Sequence, residues 1–295
     1  MAETGAAGVV DIEQNKQPVI QALKSKENPF DLTGTITVVT GATGVLGEAF
    51  CEAIGYAGGT IVLLGRNTEV GESRTAKLQQ TGYEAHFIAT DVLNKDDLNR
   101  ASEEVLAKYG RIDNLVNAAG GNVAEAVIQP HQDLFSVDIE AIKKAFDLNL
   151  YGTLVPTFVF GPAIARQGGS IVNISSMAAQ SAITRVLGYS MAKAAVDNFT
   201  RWMAVELANR YGDTVRMNAL APGFFITNQN RHLLTNPDGS HTTRGEAVIR
   251  STPYKRFGAP DELGGTLVWL LSGASRFVSG EVVCVDGGFN VFSGV

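Results

Sequence analysis

Tyr189 and Lys193 stand four residues apart in Tyr189-Ser190-Met191-Ala192-Lys193, so in a helix they share one face, a turn from each other. A free phenol titrates near pH 10, and an adjacent ammonium favours the phenolate, so the pair reads as an acid/base poised nearer neutrality. Such a group can hand a proton to a carbonyl oxygen while a hydride reaches the carbon. Ser176, thirteen residues upstream at the end of the apolar run Ser170–Ile174, could hydrogen-bond that oxygen and hold it beside the phenol. Ser175 is its adjacent rival. Taken alone, Tyr-x-x-x-Lys is more often an exposed helix face; its neighbours in the sequence decide the matter.

The first of those neighbours is Thr40-Gly41-Ala42-Thr43-Gly44-Val45-Leu46-Gly47, which follows one β-rich run and opens a helical stretch. Gly41, Gly44 and Gly47 allow a tight turn whose backbone N–H groups, with those of Thr43 and Leu46, can approach a pyrophosphate at the helix N-terminus. Three more turns end apolar runs: Asp91-Val92, then Asn117-Ala118-Ala119-Gly120, then Pro222-Gly223 with Phe225 and Thr227. Each alone would pass for a structural turn. Together they fall where open α/β sheets bind dinucleotides. The run Thr60–Leu64 ends in Gly65-Arg66-Asn67, so Gly65 stands where an acid would take a ribose 2′-hydroxyl and select NAD. Arg66 could meet a 2′-phosphate instead, which favours NADP(H) over NAD(H). If Arg66 is only solvated, NAD still binds.

A third group of residues bears on the substrate. Arg185 lies between Ser176 and Tyr189, on a stretch that must line the site, and a guanidinium binds a carboxylate bidentately. Arg231, Arg244 and Arg250 fall in the polar segment 224–257, which is too long for an ordinary connection and reads as a lid. His232 has no second histidine or cysteine at metal-ligand spacing, so no metal is expected.

The elements that must position these residues alternate along the chain. β-rich runs at Ile36–Thr40, Thr60–Leu64, Ala85–Ala89, Asn114–Asn117, Ser170–Ile174, Val215–Leu220 and Glu281–Val285 are separated by helical spacing at Glu48–Tyr56, Glu69–Gln80, Lys95–Tyr109, Ile139–Arg166, Tyr189–Tyr211 and Pro260–Leu271. That rhythm predicts βαβ units and a Rossmann-type, doubly wound parallel sheet in one domain, 28–295. Residues 1–27 read as an appendage with a short helix around Val19–Ser25. The 295 residues, 45% apolar and 18% charged, support a large core and exclude disorder for the bulk of the chain. A net charge of −6 argues against nucleic acid, and no apolar run looks long enough for a membrane span. Cys51 and Cys284 form no framework, as expected of a reducing cytoplasm.

From about Phe30 to Val295 the chain resembles the short-chain dehydrogenase/reductase superfamily. The glycine motif departs from that pattern at Val45, where the family has glycine. Asn149, Ser176, Tyr189 and Lys193 match its catalytic set in order. The resemblance implies that Lys193 also grips the nicotinamide ribose and that Asn149 holds a water in a proton relay. It implies a homotetramer too, for which Ile139–Arg166 and Tyr189–Tyr211 offer apolar faces. Ala119-Gly120-Gly121-Asn122, Ser175-Ser176-Met177, the segment Pro222–Arg231 and the ending Asp286–Val295 look like the D-mannonate oxidoreductase (fructuronate reductase-like) branch and related keto-uronate reductases. The expected reaction is therefore NAD(P)-dependent reduction of a ketone or aldehyde on a sugar acid, with Ser176, Met177, Arg185, Arg231 and Arg244 on the substrate. A gluconate- or polyol-type dehydrogenase is the alternative within enzymes. A non-catalytic dinucleotide sensor is the alternative outside them, though it has no use for an acid/base tyrosine.

Overall fold

The computed structural model describes residues 28–227 and 230–294; the segment 1–27, with its expected helix, lies outside them. Strand β1 (Ile36–Thr40) runs into helix α1 (Val45–Tyr56), followed by β2 (Thr60–Gly65), α2 (Thr68–Gln80), β3 (Ala85–Ala89), α3 (Lys95–Tyr109) and β4 (Asn114–Asn117). The second half continues with α4 (Ile139–Phe146), a π-helical turn (Asp147–Tyr151), α5 (Gly152–Gln167), β5 (Gly169–Ile174), α6 (Leu187–Tyr211) and β6 (Val215–Pro222). Two short helices, α7 (Arg231–Leu234) and α8 (Thr243–Ser251), precede α9 (Gly264–Leu271) and β7 (Val282–Val285).

The strands form one parallel sheet in the order β3-β2-β1-β4-β5-β6-β7. Strand order reverses between β1 and β4, and ligands of such sheets lie at that point, beyond the strand C-termini. Ile61 and Leu63 of β2 pack into one cluster with Phe50 and Ile54, while Val62 and Leu64 pack into the other with Leu98 and Phe160. Successive side chains of a strand face opposite ways, so an unbroken apolar run is what a sheet covered on both faces requires.

Two expectations change. The run Ile139–Gln167 is long and apolar enough, by length and composition, to cross a membrane. Its placement explains the apolarity: Phe160, Ala163 and Ile164 are buried in the second core cluster. This run is also not one uniform helix. The π-helical turn interrupts it at Asn149, and such turns are frequent at functional sites.

Candidate active site

Thr40 joins the two strands at the switch point. Its hydroxyl accepts hydrogen bonds from the Ala118 and Ala119 amides at 3.0 and 3.1 Å, where Thr40 pairs with Asn117 in the β1–β4 register. Gly41 follows with φ +64°, and a Cβ there would stand 2.7 Å from the Ala118 carbonyl oxygen. A Cβ on Gly47 would stand 2.4 Å from the Gly41 carbonyl. The turn is thus closed against its own backbone, and α1 begins at Gly44 with no side chain capping it. Uncapped amides at a helix N-terminus suit a diphosphate.

From that turn a groove of about 330 Å³ extends along the strand ends, lined by Gly41, Thr43, Gly44, Leu46, Gly47, Arg66, Asp91 and Val92. It shares Leu46, Ala118, Gly120 and Thr227 with a second cleft of about 190 Å³. The second cleft holds Ser176, Met177, Tyr189, Lys193, Pro222, Gly223 and Phe225. An elongated two-part groove that begins at an uncapped helix N-terminus fits a dinucleotide, and Arg66 and Asp91 line its part away from Tyr189. A side chain at Gly65 would meet the Thr43 methyl at 2.7 Å, so an acid at that position would displace Thr43.

In the second cleft, Tyr189 and Ser176 share one wall, close enough for the serine to act on the phenol. Lys193 is buried, its Nζ donating to the Ile174 carbonyl at 2.7 Å and lying 5.8 Å from the Tyr189 ring centre. Its neighbour Ser175 points the other way and donates to the Asp197 carboxylate, which separates the two candidate serines. The electrostatics differ from the expected pull of an ammonium on a phenol. Burial pushes the Tyr189 phenol up, opposed by the Ser176 side chain. Burial also pushes Lys193 down to about 8, opposed by the Asp197 charge. Desolvation thus moves the two groups apart, the phenol above its ordinary value and the ammonium below its own, because burial favours the neutral form of each.

Asn149 is fully buried across Gly120 from Lys193; a Cβ on Gly120 would lie 2.8 Å from Asn149 Oδ1 and 3.2 Å from Lys193 Nζ. Its Oδ1 accepts from the Gly121 amide at 2.8 Å, and its Nδ2 donates to the Gly121 and Ala145 carbonyls at 2.9 Å. One amide hydrogen is therefore spent on the loop after β4 and the other on α4, so the side chain ties that loop to the helix while Oδ1 keeps a second lone pair for a further donor.

Three other expected residues, and Arg185 with them, line neither part of the groove. Asn117 is buried beneath the cleft, where its Nδ2 donates to Thr157 Oγ1 and Asn173 Oδ1 at 2.9 Å. It ties helix to sheet and does not line the cofactor groove. Asn67 caps α2 by accepting from the Val70 amide at 3.0 Å and is likewise absent from the groove wall. Arg231 is exposed on α7 and does not line the cleft.

The insertion nevertheless contributes to the cleft wall. Leu233, Leu234 and Arg244 line it, and Arg244 reaches Thr184 Oγ1 and the Thr184 carbonyl at 3.3 and 3.2 Å. Arg185 adopts φ +78°, a strained conformation for a side-chain-bearing residue; burial, and then the Arg185 charge, lowers the Arg244 guanidinium. Among the described residues neither arginine has a carboxylate within 4 Å. Asn122 also lines the cleft, and its buried Oδ1 has no partner among the described residues. Sequence reasoning passed over Asn230, which reels in the turn after β6 by accepting from the Thr227 amide at 2.8 Å and donating to the Phe225 carbonyl at 2.7 Å.

Residues 41–290 match a family model described as enoyl-(acyl carrier protein) reductase. The chain is 40% identical over 275 residues to an uncharacterized oxidoreductase, UxuB, of Bacillus subtilis, covering 90% of this chain and 98% of the relative. It superposes with a TM-score of 0.83 on a protein from Haemophilus influenza, provisionally assigned as a D-mannonate oxidoreductase and solved with NAD bound. Those two chains are 37% identical, with 90% of this one and 98% of the other covered. A gluconate 5-dehydrogenase of Burkholderia cenocepacia, solved with NADP and tartrate, is 31% identical with a TM-score of 0.78, covering 89% of this chain and 98% of that one.

Proposed function

The chain belongs to the short-chain dehydrogenase/reductase superfamily and is an oxidoreductase that uses a nicotinamide dinucleotide; from that premise we propose that it reduces a ketone or aldehyde on a sugar acid. The observation that carries this reading is the convergence of Ser176, Tyr189 and Lys193 on one cleft wall, continuous with the groove that opens at Gly41.

The bound dinucleotide would supply the hydride to the carbonyl carbon. Tyr189 gives its phenolic proton to the carbonyl oxygen, and Ser176 donates a hydrogen bond to the same oxygen, fixing it beside the phenol. Lys193, held by the Ile174 carbonyl, stabilises the phenolate left behind and stands ready for the nicotinamide ribose. In the oxidative direction the same groups act in reverse.

Arg244 and Arg185 support an acidic substrate: Arg244 lines the cleft and feels the charge of Arg185, neither has a carboxylate partner among the described residues, and an anion beside them relieves that repulsion. The orphaned Asn122 Oδ1 offers an acceptor to a sugar hydroxyl in the same cleft. A keto-uronate of the D-fructuronate or 4-deoxy-5-hexoseulose uronate kind fits that chemistry, with reduction giving the corresponding aldonate. Arg66, exposed on the adenosine side, favours NADP(H). We place a homotetramer on the outer faces of α5 and α6, where Phe158, Trp202 and Val205 are exposed; light scattering on the purified protein checks it.

The test is kcat/KM for a keto-uronate and its neutral analogue, with NADH and NADPH, in the parent and in Tyr189→Phe. The parent should prefer the acid, and the variant should lose roughly 10²–10⁴-fold in turnover while still binding cofactor. Turnover within threefold of the parent removes Tyr189 as the proton donor.

A further inference from the structure

Helix α6 grips three consecutive residues at the end of β5, using one residue from each of three successive turns. Tyr189 lies beside Ser176, Lys193 donates to the Ile174 carbonyl at 2.7 Å, and Asp197 accepts from Ser175 Oγ. Residues 189, 193 and 197 form a stripe at i, i+4 and i+8. The first two belong to the proposed chemistry. The third lines neither part of the groove.

Asp197 is buried, and a buried carboxylate is costly unless it is hydrogen-bonded or faces positive charge. Its neighbours are the Ser175 hydroxyl, the Gln180 side chain, and the charges of Lys193 and Arg201 on its own helix. From β7 the thiol of Cys284 feels its charge and donates to Gln180 Oε1 at 3.5 Å. Gln180 is held in turn by Asn290 Nδ2, which donates to its Oε1 at 2.9 Å. Among the described residues no cation lies within 4 Å of the Asp197 carboxylate, so it is not one half of a simple ion pair.

Two consequences follow from this geometry. Ser176 has extended backbone, φ −166° and ψ 155°, so its side chain points opposite to that of Ser175. Pinning Ser175 to the helix therefore aims Ser176 into the cleft. The Asp197 charge, one turn from Lys193, also favours the ammonium over the neutral amine in a site whose burial does the reverse.

We infer that Asp197 is a positioning residue of this centre: through Ser175 it aims Ser176 at Tyr189, and through its charge it keeps Lys193 an ammonium inside the fold. The inference rests on the reading that Ser176, Tyr189 and Lys193 carry the proton chemistry.

The experiment separates the clamp from the charge. Asp197→Asn keeps an acceptor for Ser175 and removes the charge; Ser175→Ala keeps the charge and removes the clamp. For each variant three quantities are measured: Lys193 titration by NMR of 13Cε-lysine, assigned with Lys193→Met; cofactor Kd by nicotinamide fluorescence; and kcat against pH. In Asp197→Asn, Lys193 should titrate about one unit lower, and the alkaline loss of kcat should move with it. In Ser175→Ala, kcat should fall roughly tenfold or more, with cofactor Kd and the Lys193 titration unchanged. A Lys193 titration in Asp197→Asn that superimposes on the parent overturns the electrostatic role. A kcat in Ser175→Ala within twofold of the parent overturns the clamp. Absence of turnover in the parent overturns the reading beneath, while the titration still decides whether Asp197 and Lys193 are coupled.

Discussion

Arg74, on α2, donates from Nη1 to the Gly44 carbonyl at 2.7 Å, thirty residues earlier at the N-cap of α1. The same nitrogen reaches the Ala42 carbonyl, and Nη2 pairs with Glu48 at 3.1 Å. One guanidinium thus holds the carbonyl side of the glycine turn, apart from the uncapped first-turn amides of α1. With Val45 where the family has glycine, the turn relies on this outside clamp.

Arg74→Ala should therefore weaken NADH and NADPH alike, by about tenfold, because part-buried carbonyls lose charge-assisted partners worth ~1.5–3 kcal/mol. Fluorescence titration with both cofactors checks it. Selective loss of NADPH would mean that Arg74 meets the 2′-phosphate rather than the turn.

Nothing in the sequence pairs Arg74 with Ala42 and Gly44, because its partners are backbone carbonyls that every residue type shares. The strands were readable for the opposite reason. Both faces of the sheet are covered, so Val62 and Leu63 are apolar whichever way each points. Tyr189 and Lys193 were readable because helix geometry alone places them together. Asn117, Asn67 and Arg231 fell at the right turns yet face elsewhere, since a strand or loop residue's direction depends on phase that composition does not record. The split between Ser175 and Ser176 was likewise invisible until Asp197, twenty-two residues on, claimed one of them.

Burial of Lys193 makes stability depend on pH in a specific direction. Its folded pKa, about 8, lies below the ordinary 10.5, so between those values the unfolded chain binds more protons than the native one. Native stability then rises with pH through that window, by something on the order of 1–3 kcal/mol. Lys193→Met lacks this contribution. The stability of the variant minus that of the parent should thus fall between pH 7 and pH 10, whatever the constant offset from the lost Ile174 hydrogen bond. Chemical denaturation of both proteins at the two pH values measures it, and a pH-independent difference would contradict the buried ammonium.

Arg66 is exposed at the edge of the adenosine end of the groove, beyond a Gly65 that leaves no acid for the ribose. Arg66→Ala should raise the Kd for NADPH tenfold or more and leave NADH nearly unchanged. The outcome decides cofactor choice, since solved relatives carry NAD in one case and NADP in another. Equal effects on both cofactors would return the protein to NAD.

The mouth of the catalytic cleft gives the sharpest test of substrate class. Arg244 comes from α8 of the insertion and Arg185 from the loop between Ser176 and Tyr189, so a carboxylate bound between them joins the insertion to the catalytic loop. Arg244 already bonds Thr184 on that loop, which makes it the better-placed of the two, while Arg185 contributes charge from outside the lining. If the anion is held equally in ground and transition states, Arg244→Met should raise KM for a keto-uronate at least tenfold with kcat little changed. If binding energy at the carboxylate instead orients the carbonyl toward Tyr189 and Ser176, kcat should fall as well. Both outcomes must be confined to acids: a neutral keto-sugar should be a poor substrate for the parent and indifferent to the substitution. A parent that prefers the neutral sugar would replace the uronate reading with a polyol one. An acid preference that survives Arg244→Met but not Arg185→Met would move the carboxylate across the mouth to the strained residue.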